Sequence, residues 1–190
     1  MFSFRKTALV VALGLSAVGA MAGEIQNSTI NGNNLDNRST GLGSSAAQNI
    51  GVAEQNARIQ NSNVTANGAR NSASGLGSSA TQSIGRATQN GQITNATVRA
   101  TNARNSASGL GSSATQSIGF AEGNGRLQNS TVSAQNATNA SSGLGSSARQ
   151  EIGGARGNGV VNNSTVNANN ANNSASGLGS SSTQRVGVAQ

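Results

Sequence analysis

The length of an internal repeat constrains this chain more than any other feature. Ser-Gly-Leu-Gly-Ser-Ser begins at Ser74, Ser108, Ser142 and Ser176, with a Thr40 variant in an earlier copy. Each step is 34 residues, without insertion or deletion. A stack of layers demands such register, because one inserted residue would shift every side chain in the layers beyond it. Counted this way, copies run over about 37–70, 71–104, 105–138 and 139–172, with partial copies at 24–36 and 173–190.

Alignment of the copies separates columns that hold from columns that drift. One fixed column is Gln48, Gln82, Gln116, Gln150 and Gln184. Two residues on stand Ile50, Ile84, Ile118, Ile152 and Val186, each followed by glycine. Further along come Asn27, Asn61, Asn95, Asn129 and Asn163, then Ile30, Val64, Val98, Val132 and Val166. Between them the chain drifts: 58, 92, 126 and 160 read Arg, Gln, Arg, Val, and 86, 120, 154 and 188 read Arg, Phe, Gly, Val. Fixed and free positions thus alternate with the two-residue period of a strand that has one constrained face and one in water. The fold expected is all-β: a β-solenoid of cross-β-like layers, one repeat per layer, after an N-terminal signal helix.

Within a unit the pattern predicts a strand near Ser79 to Gln89, with Ala80, Gln82 and Ile84 inward. Gly85 then shifts the parity so that Ala87 also points in. Asn90-Gly91 is a turn signal. A second strand from Gln92 is expected to turn Ile93, Asn95, Val98, Ala100 and Asn102 inward, and a Gly-Leu-Gly corner to tuck Leu110 inside. Inward amides ordinarily cost free energy. Stacked in register, each can donate to one neighbouring copy and accept from the other, as in Asn/Gln ladders. The Gln, Ile/Val and Asn columns above are therefore the candidate assembly ladders.

The run Gln82 to Ala100, Gln-x-Ile-Gly-x-Ala-x-Gln-Asn-Gly-x-Ile-x-Asn-Ala-x-Val-x-Ala, resembles the repeats of curlin-type functional amyloid subunits. Those are shorter and richer in aromatics. The resemblance implies secretion and a role in biofilm fibres, with Gln82, Asn90 and Asn95 and their copies as ladder positions.

The start of the chain points the same way. Arg5 and Lys6 precede an apolar run, 8–20, and Ala20-Met21-Ala22 offers small residues where a signal peptidase reads. Residues 1–22 are thus expected to be a signal peptide and 23–190 a secreted repeat domain. That domain holds no Cys, so disulfides cannot staple it. It carries ten arginines against five acids, a net charge of +5. Contact with a cell surface, acidic polysaccharide or extracellular DNA follows as an expectation, although Arg58, Arg86, Arg99 and Arg126 read more readily as a solvated face, with no aromatic interleaving to stack on bases.

Catalysis is not expected. There is no His, and Glu24, Asp36, Glu54, Glu122 and Glu151 fall at unrelated repeat positions. Neither a metal site nor a small-molecule substrate is expected. Gly75-Leu76-Gly77-Ser78-Ser79-Ala80 matches the dinucleotide fingerprint, but it recurs in several copies with no acid at a regular distance, so a repeated corner explains it and no cofactor is expected. The function expected is a secreted structural subunit that assembles with itself, head to tail, into extracellular fibres. The alternative is an extracellular binding module, an adhesin or an ice-binding solenoid; Thr97, Thr131 and Thr165 form a partial column that Asn63 breaks. N-terminal sequencing of exported protein should begin at Gly23, and a start at Met1 would refute the signal reading.

Overall fold

The computed structural model describes residues 23–190. The expected signal peptide, 1–22, lies outside them. The described chain winds through five turns, each carrying four short strands. In the middle turn these are Gln92–Thr94, Thr97–Thr101, Arg104–Ser108 and Ala114–Gly119. Every strand pairs in parallel with its counterpart one repeat away, so the chain forms four parallel five-stranded sheets. Register is strict: Val98 lies against Val64 and Val132, and Gln116 against Gln82 and Gln150. One repeat is therefore one layer, at a rise of about 4.8 Å. By its fold the protein is a β-solenoid, as the periodicity predicts.

The unit has four strands where the sequence suggests two. The expected first strand ends early, at Ser83 in the second turn, and continues as an irregular segment to the Asn90 corner. The expected second strand breaks at Asn95 into two. A further strand, Arg104–Ser108, occupies the stretch taken for the approach to a corner.

Each break is a corner in the left-handed region of backbone space. Asn61, Asn95 and Asn129 have φ of 48°, 50° and 48°, Asn102 and Asn136 of 54° and 53°, and Asn90 and Asn124 of 53°. Asparagine tolerates this conformation better than other residues with a side chain. Where the corner is sharpest, only glycine serves: Gly75 has φ +124°, and a Cβ there would lie 2.2 Å from the Gly41 carbonyl oxygen.

The core runs along the stack as columns. Ile59, Ile93 and Leu127, Val64, Val98 and Val132, and Ile84, Ile118 and Ile152 are all fully buried. Alanines at 66, 100 and 134 and at 69, 103 and 137 fill the remaining space. The valine column packs on backbone: a Cβ on Gly85 would meet the Val98 methyls at 2.9 and 3.1 Å. The glycine after the isoleucine is therefore a close-approach site. Ala87 lies buried beyond it, as the parity shift requires.

Adjacent residues on one strand give a sharp contrast. Val98→Asp places an uncompensated charge in the core and should cost roughly 3 kcal/mol or more. Arg99 is exposed, and Arg99→Ser should change stability by less than about 0.5 kcal/mol. Chemical denaturation followed by circular dichroism checks both; equal tolerance would refute the packing.

Candidate assembly ladders

The glutamine column faces the interior. Gln82, Gln116 and Gln150 are fully buried and Gln48 nearly so, while Gln184, in the last turn, is exposed. Gln48 Nε2 donates to Gln82 Oε1 at 2.8 Å, and Gln82 Nε2 to Gln116 Oε1 at 2.7 Å. There the chain of amides halts. Gln116 Nε2 and Gln150 Oε1 are both buried without a partner among the described residues, and Gln150 Nε2 instead donates to the Ala137 carbonyl at 3.4 Å. The Ile50 and Ile30 columns also face inward. Their middle members are fully buried, whereas Ile30, Ile50, Val166 and Val186 are open in the end turns, Val186 to 51 %.

The asparagine column expected inward is at the surface instead. Asn27, Asn61, Asn95, Asn129 and Asn163 are exposed, each at a left-handed corner. Their backbone amides still bond across layers, as from Asn95 N to the Gln128 carbonyl at 3.0 Å. Asn102 is likewise exposed, not inward. A corner turns the peptide plane, so its residue cannot keep the strand's alternation. Corner side chains can still bond along the stack: Asn90 Nδ2 donates to Asn56 Oδ1 at 2.8 Å, and Asn136 Nδ2 to Asn102 Oδ1 at 3.0 Å.

A different asparagine column forms the buried ladder. Asn71, Asn105 and Asn139 are at most 1 % exposed. Asn37 Nδ2 donates to Asn71 Oδ1 at 2.8 Å, Asn71 to Asn105 at 2.9 Å, Asn105 to Asn139 at 2.8 Å and Asn139 to Asn173 at 2.7 Å. Each also donates to a carbonyl of the facing strand, as Asn139 does to Arg149 O at 2.8 Å. Sequence reasoning missed this column. Its signal was present: Ala103, Asn105 and Ala107 are two apart, whereas Ile93 and Ala96 are three apart and so flank a corner. Serines add a second clamp, with Ser78 Oγ donating to the Ser108 carbonyl of the next layer at 2.6 Å.

Two further expectations are corrected. The leucine of the Gly-Leu-Gly corner points outward in every turn, because Gly75 and Gly77, at φ +124° and +67°, swing the loop away from the core. Phe120, on a drifting column expected in water, is fully buried, and Arg156 stacks on its ring at 4.7 Å to the centroid. That guanidinium also pairs with Glu151, which is buried and held on its other oxygen by Arg149 at 2.6 Å. This cluster breaks the repeat, since its column reads Ser83, Ser117, Glu151, Arg185.

Of the free-position arginines, Arg58, Arg99 and Arg126 are exposed, while Arg86 is half-buried and lies 3.6 Å from Glu122. A shallow groove on the third sheet brings Arg38, Arg70 and Arg104 together beside Asp36. A hydrogen bond and the charge of Asp36 raise the Arg38 guanidinium above its ordinary pKa. Among the described residues there is no helix after the glycine corner and no group of three metal-ligating side chains. No protein-family model, curated protein or solved structure gives a significant match to the chain.

The two kinds of asparagine should part under mutation. Asn105→Ala strands the Asn71 and Asn139 amides and the Thr115 carbonyl, and should cost about 2–3 kcal/mol. Asn95→Gly keeps the left-handed corner and should cost less than about 1 kcal/mol. Urea unfolding of the two variants measures the difference.

Proposed function

We propose that the protein is a structural subunit that stacks end to end with its own copies into extracellular fibres. The observation that carries this reading is the open core at both end turns. Ile30, Val166 and Val186 occupy columns whose middle members are fully buried, yet they stand part-exposed, because among the described residues the end strands are paired on one side only. A second copy continuing the register would set Ile30 on Val166, Asn37 on Asn173 and Gln48 on Gln184, extending each column by its own kind. Unpaired parallel strand edges are templates for such addition.

Charge supports a head-to-tail direction. The first turn, 24–57, carries Glu24, Asp36 and Glu54 against Arg38 alone, a net −2, whereas the last turn, 160–190, carries Arg185 alone, a net +1, and the turn before it a net +2. Opposite ends therefore attract, and like ends meet like charge. The in-register amide bonds of Gln82 and Asn90, two of the positions that carry the curlin-like resemblance, agree with a fibre outside the cell. The second sheet carries one outward threonine row, Thr29, Thr97, Thr131 and Thr165, broken by Asn63, but its other outward row reads Asn31, Thr65, Arg99, Ser133, Asn167, so the paired threonine rows that would favour ice binding do not form.

Residues 23–190, purified and concentrated, should grow unbranched fibrils with a reflection near ~4.8 Å, and seeds should remove the lag. Growth should slow when Glu24, Asp36 and Glu54 are replaced by Gln, Asn and Gln. A chain that stays monomeric for days by light scattering would defeat the proposal.

A further inference from the structure

The corner between the third and fourth sheets turns a leucine outward in every layer. Leu76, Leu110 and Leu144 are 45 %, 44 % and 45 % exposed, while Leu42 and Leu178, in the end turns, are 83 % and 72 % exposed. The fall from the ends to the middle is what a neighbouring layer on each side produces. Beyond that the exposure stays level, so further stacking does not bury it. In the three middle turns of the described chain this is the one large apolar column left exposed.

The corner itself does not require leucine. Its path is set by the glycines on either side, and Ser78 closes it with its one hydroxyl proton shared between the Gly75 carbonyl at 2.5 Å and the Ser108 carbonyl at 2.6 Å. An exposed serine would solvate this loop at lower cost, yet leucine stands in all five turns. The edge is also nearly free of charge: 40–47, 74–81, 108–115, 142–149 and 176–183 contain only Gly, Leu, Ser, Thr and Ala besides Arg149, which is paired with Glu151. On a repeat domain of net charge +5 this is the edge where two copies can approach with the fewest arginines between them, and its small flanking residues let a partner come close.

We propose that the leucine ridge is a lateral seam that docks on the same ridge of a second copy, so that fibres pair side by side through interleaved leucines. The inference rests on the end-to-end reading above. Area sets when pairing occurs. A half-exposed leucine offers on the order of 100 Å², so one molecule offers a few hundred. A stable interface buries roughly 800 Å² per partner. Single molecules therefore fall short, and a filament of a few molecules exceeds the threshold. Pairing follows elongation and does not precede it.

The test compares the wild-type protein with a variant carrying serine at Leu42, Leu76, Leu110, Leu144 and Leu178, and a second carrying methionine at the same positions. Fibril growth is followed by thioflavin fluorescence, and mass per length by scanning transmission electron microscopy. Wild-type fibrils should contain two chains per five-layer rise of roughly 24 Å. The serine variant should elongate at a similar rate with its mass per length halved, and the methionine variant should keep the paired value. A wild-type fibril of one chain per rise overturns the seam whatever the variants do. So does a serine variant that keeps the paired mass. If the wild type does not elongate at all, the end-to-end reading fails and the seam fails with it; elongation without pairing removes the seam alone.

Discussion

Every residue in this fold is stacked on its own counterpart. Parallel pairing at one fixed offset places position i over i+34 through all four sheets, so a residue is acceptable only if it can neighbour itself. Apolar side chains can, and so can amides and hydroxyls, which donate on one side and accept on the other. Like charges cannot, because directly opposed they destabilise a ladder. The composition follows: only 9 % of residues are charged and none is proline, whose missing N–H would remove a ladder bond. Charged columns are diluted or alternate in sign, as in Glu24 over Arg58 and Glu151 over Arg185. The one in-register pair of like charges, Arg70 and Arg104, lies on an outer face beside Asp36.

The same rule explains how far the fold could be read from the chain. Layer height, strand type and most of the core followed from the repeat, since self-stacking forces insertions out and holds inward columns constant. Constancy alone does not say why a column is constant. Asn95 and Asn105 both recur in every turn, but one holds a left-handed corner in solvent and the other a buried ladder. Only the spacing of their apolar neighbours tells them apart: a step of three marks a corner, a step of two a strand. Leu110 misled for another reason. Hydrophobicity suggests the interior, and the decisive fact, the direction in which two positive-φ glycines carry the loop, is a property of the backbone path.

The exceptions to repetition cluster in the third and fourth turns. Phe120 is fully buried where the next layer has Gly154, and Arg156 covers its ring while pairing with Glu151. A Cβ on Gly154 would stand 2.7 Å from the Phe120 Cα, so the backbones of the two layers approach too closely there for a side chain at 154. The interruption reaches the core, because Gln150, next to Glu151, is where the glutamine ladder loses its partner. A buried carboxylate between two guanidiniums is therefore tolerated where the repeat is locally given up. Repeating it in adjacent layers would set carboxylate on carboxylate.

Inward positions must repeat, so they carry no information about which turn is which. Polarity, by contrast, is set by the core itself, because a reversed copy would meet the end strands antiparallel and put each column on a different one. What distinguishes the turns lies outside: the acids of 24–57, the arginines beyond them and the cluster around Glu151. In the proposed fibre the division of labour is then physical. The core supplies affinity and, through parallel pairing, polarity, and the outer charges bias which ends meet. A like-charged juxtaposition costs several kcal/mol when desolvated and far less in water, so this outer code acts most strongly while two ends approach at low ionic strength. Once the layers have closed, it is the amide and aliphatic columns, not the charges, that hold them.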